Sequence, residues 1–220
     1  MCVDVQAATN SSAIVISRAG LVAYEEALEL QRHFHKEIVA GTRPNSLILL
    51  EHPSVYTAGK RTQDFERPSD GAPVIDVDRG GRITWHGPGQ IVGYPIVRLA
   101  KPTELVGFVR TLESALIEAC STFGISAQRV DGRSGVWVCD EMGERKIAAI
   151  GIRVASGVTM HGFALNVAPD LAKFGKIVPC GIDDAAVTSM ARELKREISI
   201  SEVISIVEEM VSQALGKVCA

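Results

Sequence analysis

Cys180 has the setting in this chain that most invites chemistry. It lies in the run "GKIVPCGIDD", between Pro179 and Gly181. Pro179 fixes the backbone entering the thiol, and Gly181 lets the chain turn sharply after it. Neither suits a central strand, so the segment reads as a loop, where reactive groups concentrate. The N–H of Gly181 could meet a neighbouring oxyanion. A thiol with a pKa of about 8.5 is only slightly ionised at neutral pH, so a nucleophilic role needs a partner that lowers that value. No histidine is close in sequence. His52, His86, His161 and the lysines are the candidates. On these residues alone, Cys180 stands evenly between a nucleophile and an inert thiol.

Lys146 opens the run "KIAAIGIRV" and reads in two ways. A surface lysine at a strand edge is the commoner case. The alternative is a partly desolvated ammonium that stabilises a thiolate and exchanges protons. Composition does not choose between them. The other cysteines, Cys2, Cys120, Cys139 and Cys219, carry less signal, because free cysteine is usually a small buried hydrophobe. His33 and His35 fall two apart on an expected helix and so do not share a face for a metal. The run "RGGRITWHGPGQ" is glycine-rich but fits neither the dinucleotide fingerprint nor the P-loop pattern. His52, followed by Pro53, reads as a turn-fixing residue.

The elements that must position these groups follow from periodicity. Apolar spacing predicts a helix over residues 20–40, stopped by Gly41. "SLILLEHPSVYTAG" starts as an apolar strand ending near His52 and Pro53. A second helix is expected over 103–123, capped by Thr103 and closed by Gly124. "GVWVC", "KIAAIGIRV" and "VTMHGFALNV", separated by turn-like segments, predict an antiparallel meander. A last helix is expected from Ser201. Helices bracketing a strand-rich middle predict one α+β domain spanning residues 1–220, built on a mixed, largely antiparallel sheet.

The 220 residues are 46% hydrophobic and 22% charged, which is ordinary globular composition. Net charge is −3, so there is no bulk attraction to nucleic acid or acidic membranes. No run reaches the roughly 18 apolar residues of a membrane span, and the N-terminal residues do not read as a signal peptide. Five dispersed cysteines imply reduced thiols and a cytoplasmic setting.

Several blocks together resemble one family. "RGGRITWHGPGQIVGYP", "LLEHPSVYTAGKR", "DGRSGVWV", "RKIAAIGIRV", "TMHGFALNV" and "IVPCGI" are similar to the corresponding segments of the lipoyl(octanoyl) transferases. These are the octanoyl-[acyl-carrier-protein]:protein N-octanoyltransferases. The blocks span roughly residues 47–188, in the family's order, and no motif position departs from the pattern. The resemblance implies an α/β domain related to the catalytic domains of lipoate and biotin protein ligases. It implies a thioester intermediate on Cys180, with Lys146 lowering the thiol's pKa and shuttling protons. It also implies an acyl site lined by three segments. These are Arg79, Gly80, Gly81, Arg82, Ile83, Thr84, Trp85 and His86; then Ala149, Ile150 and Gly151; then Gly162, Phe163 and Ala164.

On that reading the donor is octanoyl-acyl carrier protein. The acceptors are lipoyl domains of 2-oxoacid dehydrogenase complexes and the glycine cleavage H protein. No metal or cofactor is called for. Gly80 and Gly81 would let backbone lie against the acyl chain, and Trp85 would be apolar wall or core. His86 would hold the loop or the acyl carbonyl, or be structural. Arg79 and Arg82 would meet the acidic carrier, or its phosphate, or water. Three rivals stand beside this reading: an ATP-dependent lipoate–protein ligase, a non-catalytic lipoyl-domain-binding module and a thioesterase.

Overall fold

The computed structural model describes residues 7–8, 14–101, 103–177 and 186–219. Cys2 and Cys180 lie outside the described residues. In chain order the elements are β1 (Ala7–Ala8), β2 (Ile14–Leu21), α1 (Tyr24–Ala40), β3 (Asn45–Glu51), β4 (Val55–Ala58), β5 (Val74–Asp76), β6 (Thr84–His86) and β7 (Gln90–Ile96). There follow α2 (Leu105–Thr122), β8 (Gln128–Val130), β9 (Arg133–Asp140), β10 (Gly143–Ala155), β11 (Val158–Asn166), β12 (Ala186–Val187), α3 (Met190–Leu194) and α4 (Ile200–Leu215).

The main sheet runs β1-β2-β3-β7-β11-β10-β9-β8, with β12 pairing β10. Only β2–β3 and β10–β12 pair in parallel within it. The sheet is therefore mixed and largely antiparallel, and the expected β9–β10–β11 meander is present. β7 is buried along its whole length and reads as a continuous apolar run, as strands covered on both faces do. One face carries α2 and α4, packed on Leu47, Leu49, Ile91, Ile147, Phe163 and Leu165. The other carries α1, packed on Ile48, Leu50, Val92, Tyr94 and Ala164. A small second sheet, β5-β4-β6, lies on the α1 side, where Val55 and Ile75 meet Tyr24, Leu28 and Met160.

Three helix starts differ from the sequence expectation. The helix predicted from residue 20 begins at Tyr24, because β2 continues to Leu21 in parallel register with β3. Leu21 is 62% exposed and takes no part in the helix's buried face. For α2 the N-cap is Glu104 rather than Thr103, and it makes no side-chain capping bond. The start of α4 is set by Ser199, whose hydroxyl accepts from the Glu202 N–H while the Glu202 carboxylate accepts from the Ser199 N–H. No helix of the described residues is long and apolar enough to cross a membrane.

Candidate active site

A β-bulge aims Lys146. β9 and β10 stay in register from Asp140↔Gly143 to Trp137↔Lys146, then shift so that Val136 faces Ala148. Strict alternation would put Lys146 on the face of Ala148. With one extra residue, Ile147 and Ala148 both join the core under α2 and α4. Lys146, Ala149 and Gly151 then all border one cavity on the opposite face. Gly135 permits this crossing: its φ is 109°, and a Cβ there would come within 2.5 Å of the Ala148 carbonyl oxygen. Its N–H donates to Oε1 of the buried Glu113 on α2 at 3.0 Å. Arg110 and Arg129 neutralise that carboxylate.

Lys146 is 7% exposed, so it is not a surface lysine on a strand edge. Its ammonium nitrogen lies 4.5 Å from the centre of the Trp137 ring, a cation–π distance. Its carbonyl accepts from the Thr188 N–H at 2.9 Å, and Lys146 pairs with Val187 of β12. Arg145, next to it, bonds both oxygens of Asp140 and both of Glu193 on α3. Asn166 Nδ2 donates to the Thr188 carbonyl, and Asn166 Oδ1 accepts from Gln90. The chain that re-enters at Ala186 is thus pinned beside Lys146.

The cavity holds about 240 Å³ and follows from missing side chains. Ala149, Ala164 and Val92 are cross-strand neighbours on β10, β11 and β7, Gly151 and Gly162 are partners on β10 and β11, and Tyr94 of β7 borders the same space. Small residues at four of these six positions leave the sheet face bare. Ile150 and Phe163 also border the cavity, although they alternate onto the face under α2 and α4. The loop after β5 roofs it. Gly80 N–H donates to the Ile152 carbonyl, and a Cβ on Gly151 would press within 3.0 Å of Arg79 Cδ.

Arg79 knots that loop. Its Nη1 donates to the carbonyls of Gly80 and Arg82 at 3.1 and 2.8 Å. Its Nη2 donates to the carbonyl and hydroxyl of Thr57 at 2.8 and 2.9 Å. Arg82 pairs with the fully buried Glu66 at 2.5 Å. Thr84 and His86 of β6 face the cavity. Trp85, between them, points the other way, as strand alternation requires. Its Nε1 donates to Ser54 Oγ at 2.9 Å, and its ring packs with Ile83, Phe174 and Ile177. Trp85 and Ile83 are therefore core residues of the small sheet, and neither they nor Gly80 line the cavity. Of the fourteen other residues singled out in the sequence beside Cys180 and Lys146, the rest do.

The sequence reading did not pick out Tyr24, Tyr94 and Arg61 as cavity residues. Tyr24 fits a helix's apolar stripe and Tyr94 a buried strand, so neither carries a local signal of its position.

Three histidines close the α1 end. His52 donates from Nδ1 to the Val22 carbonyl and accepts at Nε2 from the Tyr94 hydroxyl, both at 2.7 Å. These bonds tie the end of β3 to the residue after β2 and to β7. The His86 ring stacks 6.1 Å from that of Tyr24. His161 sits on β11 with φ 60°, a strained position for a residue with a side chain. It is held by Gln31 Oε1 on its N–H and by Asp78 Oδ1 on Nε2, each at 2.8 Å. Among the described residues, Nδ1 of both His86 and His161 has no hydrogen-bond partner. Burial pushes His86 well below its ordinary pKa, and the charges of His52 and Arg79 add to this. Burial likewise lowers His52 and His161. All three are neutral imidazoles at pH 7. Burial pushes the thiols of Cys120 and Cys219 up to about 12, so neither is a nucleophile.

A bare-floored cavity with a buried lysine on its rim, in a mixed sheet with helices on both faces, has clear counterparts among known proteins. Residues 23–212 match the family model described as "Lipoyl protein ligase A/B catalytic domain". Among solved structures, a bipartite lipoate protein ligase from Thermoplasma acidophilum superposes with a TM-score of 0.65 at 15% identity, covering 89% of this chain and 82% of that one. A biotin protein ligase from Aquifex aeolicus gives 0.53 at 13% identity, over 93% and 70% of the two chains. These likenesses confirm the fold expected from the sequence. The chain belongs to the lipoyl protein ligase A/B catalytic-domain family.

Within that family the relationship is closer to one activity. An octanoyltransferase from Salinispora tropica is 57% identical over 202 residues, covering 91% of this chain and 95% of that one. The chain is an acyltransferase of the octanoyltransferase group.

Proposed function

We propose that this protein takes an octanoyl group from octanoyl-acyl carrier protein and delivers it to a lysine of a lipoyl domain through a thioester on Cys180. The observation that carries the reading is the placement of Lys146. It is buried, aimed by the bulge onto the rim of the small-residue cavity, and paired with the strand to which the Cys180 segment returns. That segment leaves the described structure at Ile177, beside Trp85 and Phe174, and rejoins it at Ala186, beside Arg145. Phe174 and Val187, next to these two anchors, border a small hollow together with Lys146, Ala149 and Ala164, which supports Cys180 as the nucleophile that Lys146 serves.

The chemistry balances without a nucleotide. The Cys180 thiolate adds to the donor's thioester carbonyl, and the carrier leaves as a thiolate that takes its proton from the Lys146 ammonium, leaving a neutral amine able to accept one later. The acceptor lysine, as a free amine, then adds to the Cys180 thioester. Collapse forms the amide and returns the Cys180 thiolate. Lys146 holds the thiolate by charge and relays the proton that the amine sheds. The two groups titrate as a pair. Exchange of one thioester for another is nearly isoenergetic, and aminolysis to an amide runs downhill. Closing the site against water would suppress hydrolysis of the intermediate, the competing reaction.

The test is transfer from octanoyl-acyl carrier protein to a purified lipoyl domain without nucleotide. Amide formation is the expected result. An absolute requirement for ATP would establish the ligase reaction instead, and release of free octanoate regardless of acceptor would establish a thioesterase.

A further inference from the structure

The cavity has an identifiable end. It crosses the sheet from β10, which holds Lys146, over Ala164 and Gly162 of β11, to Val92 and Tyr94 of β7. Two interstrand steps make that crossing about 10 Å. Beyond Tyr94 stand His52, bonded to the Tyr94 hydroxyl, and Tyr24, the first residue of α1. The Tyr24 ring lies 5.1 Å from the His52 ring and 6.1 Å from that of His86.

Behind Tyr24 lies a second hollow of about 460 Å³, bordered by Pro53, Ser54, Val55, Tyr56, Ala72 and Ile75 among others. Tyr24 lines both spaces, and among the described residues it is the one residue common to both linings. It is buried and wedged by Leu28 and Met160. Much of the wall behind it is apolar, so a fatty chain that passed the ring would find suitable lining rather than solid core.

We infer that Tyr24 is the end wall of the acyl cavity and the residue that limits how long a fatty chain this protein transfers. The inference rests on the acyl-transfer reading above and adds to it the determinant of chain length. A chain that stops short of the ring gains contact with each added methylene. One that reaches the ring meets a residue fixed by two neighbouring rings and cannot gain further. A pocket discriminates a single methylene by about tenfold or more, so one ring is enough to set a cut-off.

The experiment measures transfer from acyl carrier protein loaded with hexanoyl, octanoyl, decanoyl, dodecanoyl and tetradecanoyl groups, by the unaltered protein, Tyr24→Ala and Tyr24→Leu. A melting curve is taken for each. Shortening the side chain joins the two spaces, and the dodecanoyl-to-octanoyl ratio of kcat/KM should rise by at least about tenfold. Adding Ala72→Trp to Tyr24→Ala refills the outer hollow and should take that gain away, while Ala72→Trp alone leaves octanoyl transfer as it was. Tyr24→Leu keeps apolar bulk against Leu28 and Met160 and carries the same test if the alanine variant does not fold. A folded variant with an unchanged chain-length order, or an equal loss at every length, would overturn the inference. Absence of octanoyl transfer in the unaltered protein would instead overturn the functional reading on which it stands.

Discussion

Lys146 and Trp137 are direct cross-strand partners, and the lysine's ammonium stands 4.5 Å from the centre of the tryptophan ring. The ring face attracts the charge and holds a flexible side chain in one place at the cavity rim. Trp137 is therefore a positioning residue. Trp137→Phe keeps an aromatic face and should retain most activity. Trp137→Leu should lower kcat by roughly tenfold with less change in KM, since a cation–π contact of this kind is worth about 1–2 kcal/mol when desolvated. Steady-state kinetics beside a melting curve separates this from loss of fold.

The proposed role of Lys146 predicts that no other side chain serves in its place. Lys146→Met should cut transfer by roughly 10²–10⁴-fold, the usual contribution of a positioned acid–base group. Lys146→Arg should fail nearly as badly, because a guanidinium stays protonated and cannot relay the acceptor's proton. Substantial activity in Lys146→Arg would mean that the residue acts by charge alone.

The bare floor predicts a substitution that harms activity and spares the fold. Ala164 touches the cluster under α1 but also borders the cavity, so the added atoms of Ala164→Leu project into open space. Octanoyl transfer should fall by more than about tenfold while stability shifts by less than about 1 kcal/mol, unlike an overpacked interior. A large drop in melting temperature would show that Ala164 is ordinary core.

Arg79→Lys tests the knot over the cavity. One ammonium cannot reproduce four directed bonds to Gly80, Arg82 and both Thr57 oxygens. The cost should be about 2–4 kcal/mol of stability, read by denaturant unfolding.

The histidines set an acid limit. His52, His86 and His161 are held neutral by burial, whereas the unfolded chain protonates them near 6.5. Unfolding therefore takes up protons below that value. The stability associated with neutral histidines is complete above about pH 6.5 and is lost as pH falls toward the folded values. His86→Gln removes one such group. Its melting temperature should fall less between about pH 7.5 and 5.5 than that of the parent. Equal slopes would contradict the assignment.

Much of this architecture was legible in the chain. The β9–β10–β11 meander announced itself by three apolar runs with turn residues between them, and α2 and α4 by their stripes. Most of the three segments singled out around 79–86, 149–151 and 162–164 do converge on one cavity. What could not be read is what depends on neighbours. Trp85 sits between two cavity residues in sequence, but a strand turns it into the core of a second sheet whose strands are too short to predict. The bulge that aims Lys146 has no local signature, because it needs Gly135 of β9 close against the Ala148 carbonyl of β10. The helix expected from residue 20 overlaps the last two residues of β2, whose parallel partner, β3, lies beyond α1 in the chain. Arg79 and Arg82, read as groups that would meet the carrier, its phosphate or water, bond the protein's own carbonyls and Glu66, and no periodicity reports that.

The central claim is covalent. The protein is mixed with octanoyl-acyl carrier protein in the absence of any acceptor, and its intact mass is recorded, followed by peptide mapping. The account predicts a gain of one octanoyl group on Cys180, labile to hydroxylamine, discharged on adding a lipoyl domain and absent in Cys180→Ser. Full transfer activity in Cys180→Ser, or turnover with no acyl-protein formed at any time, would contradict it.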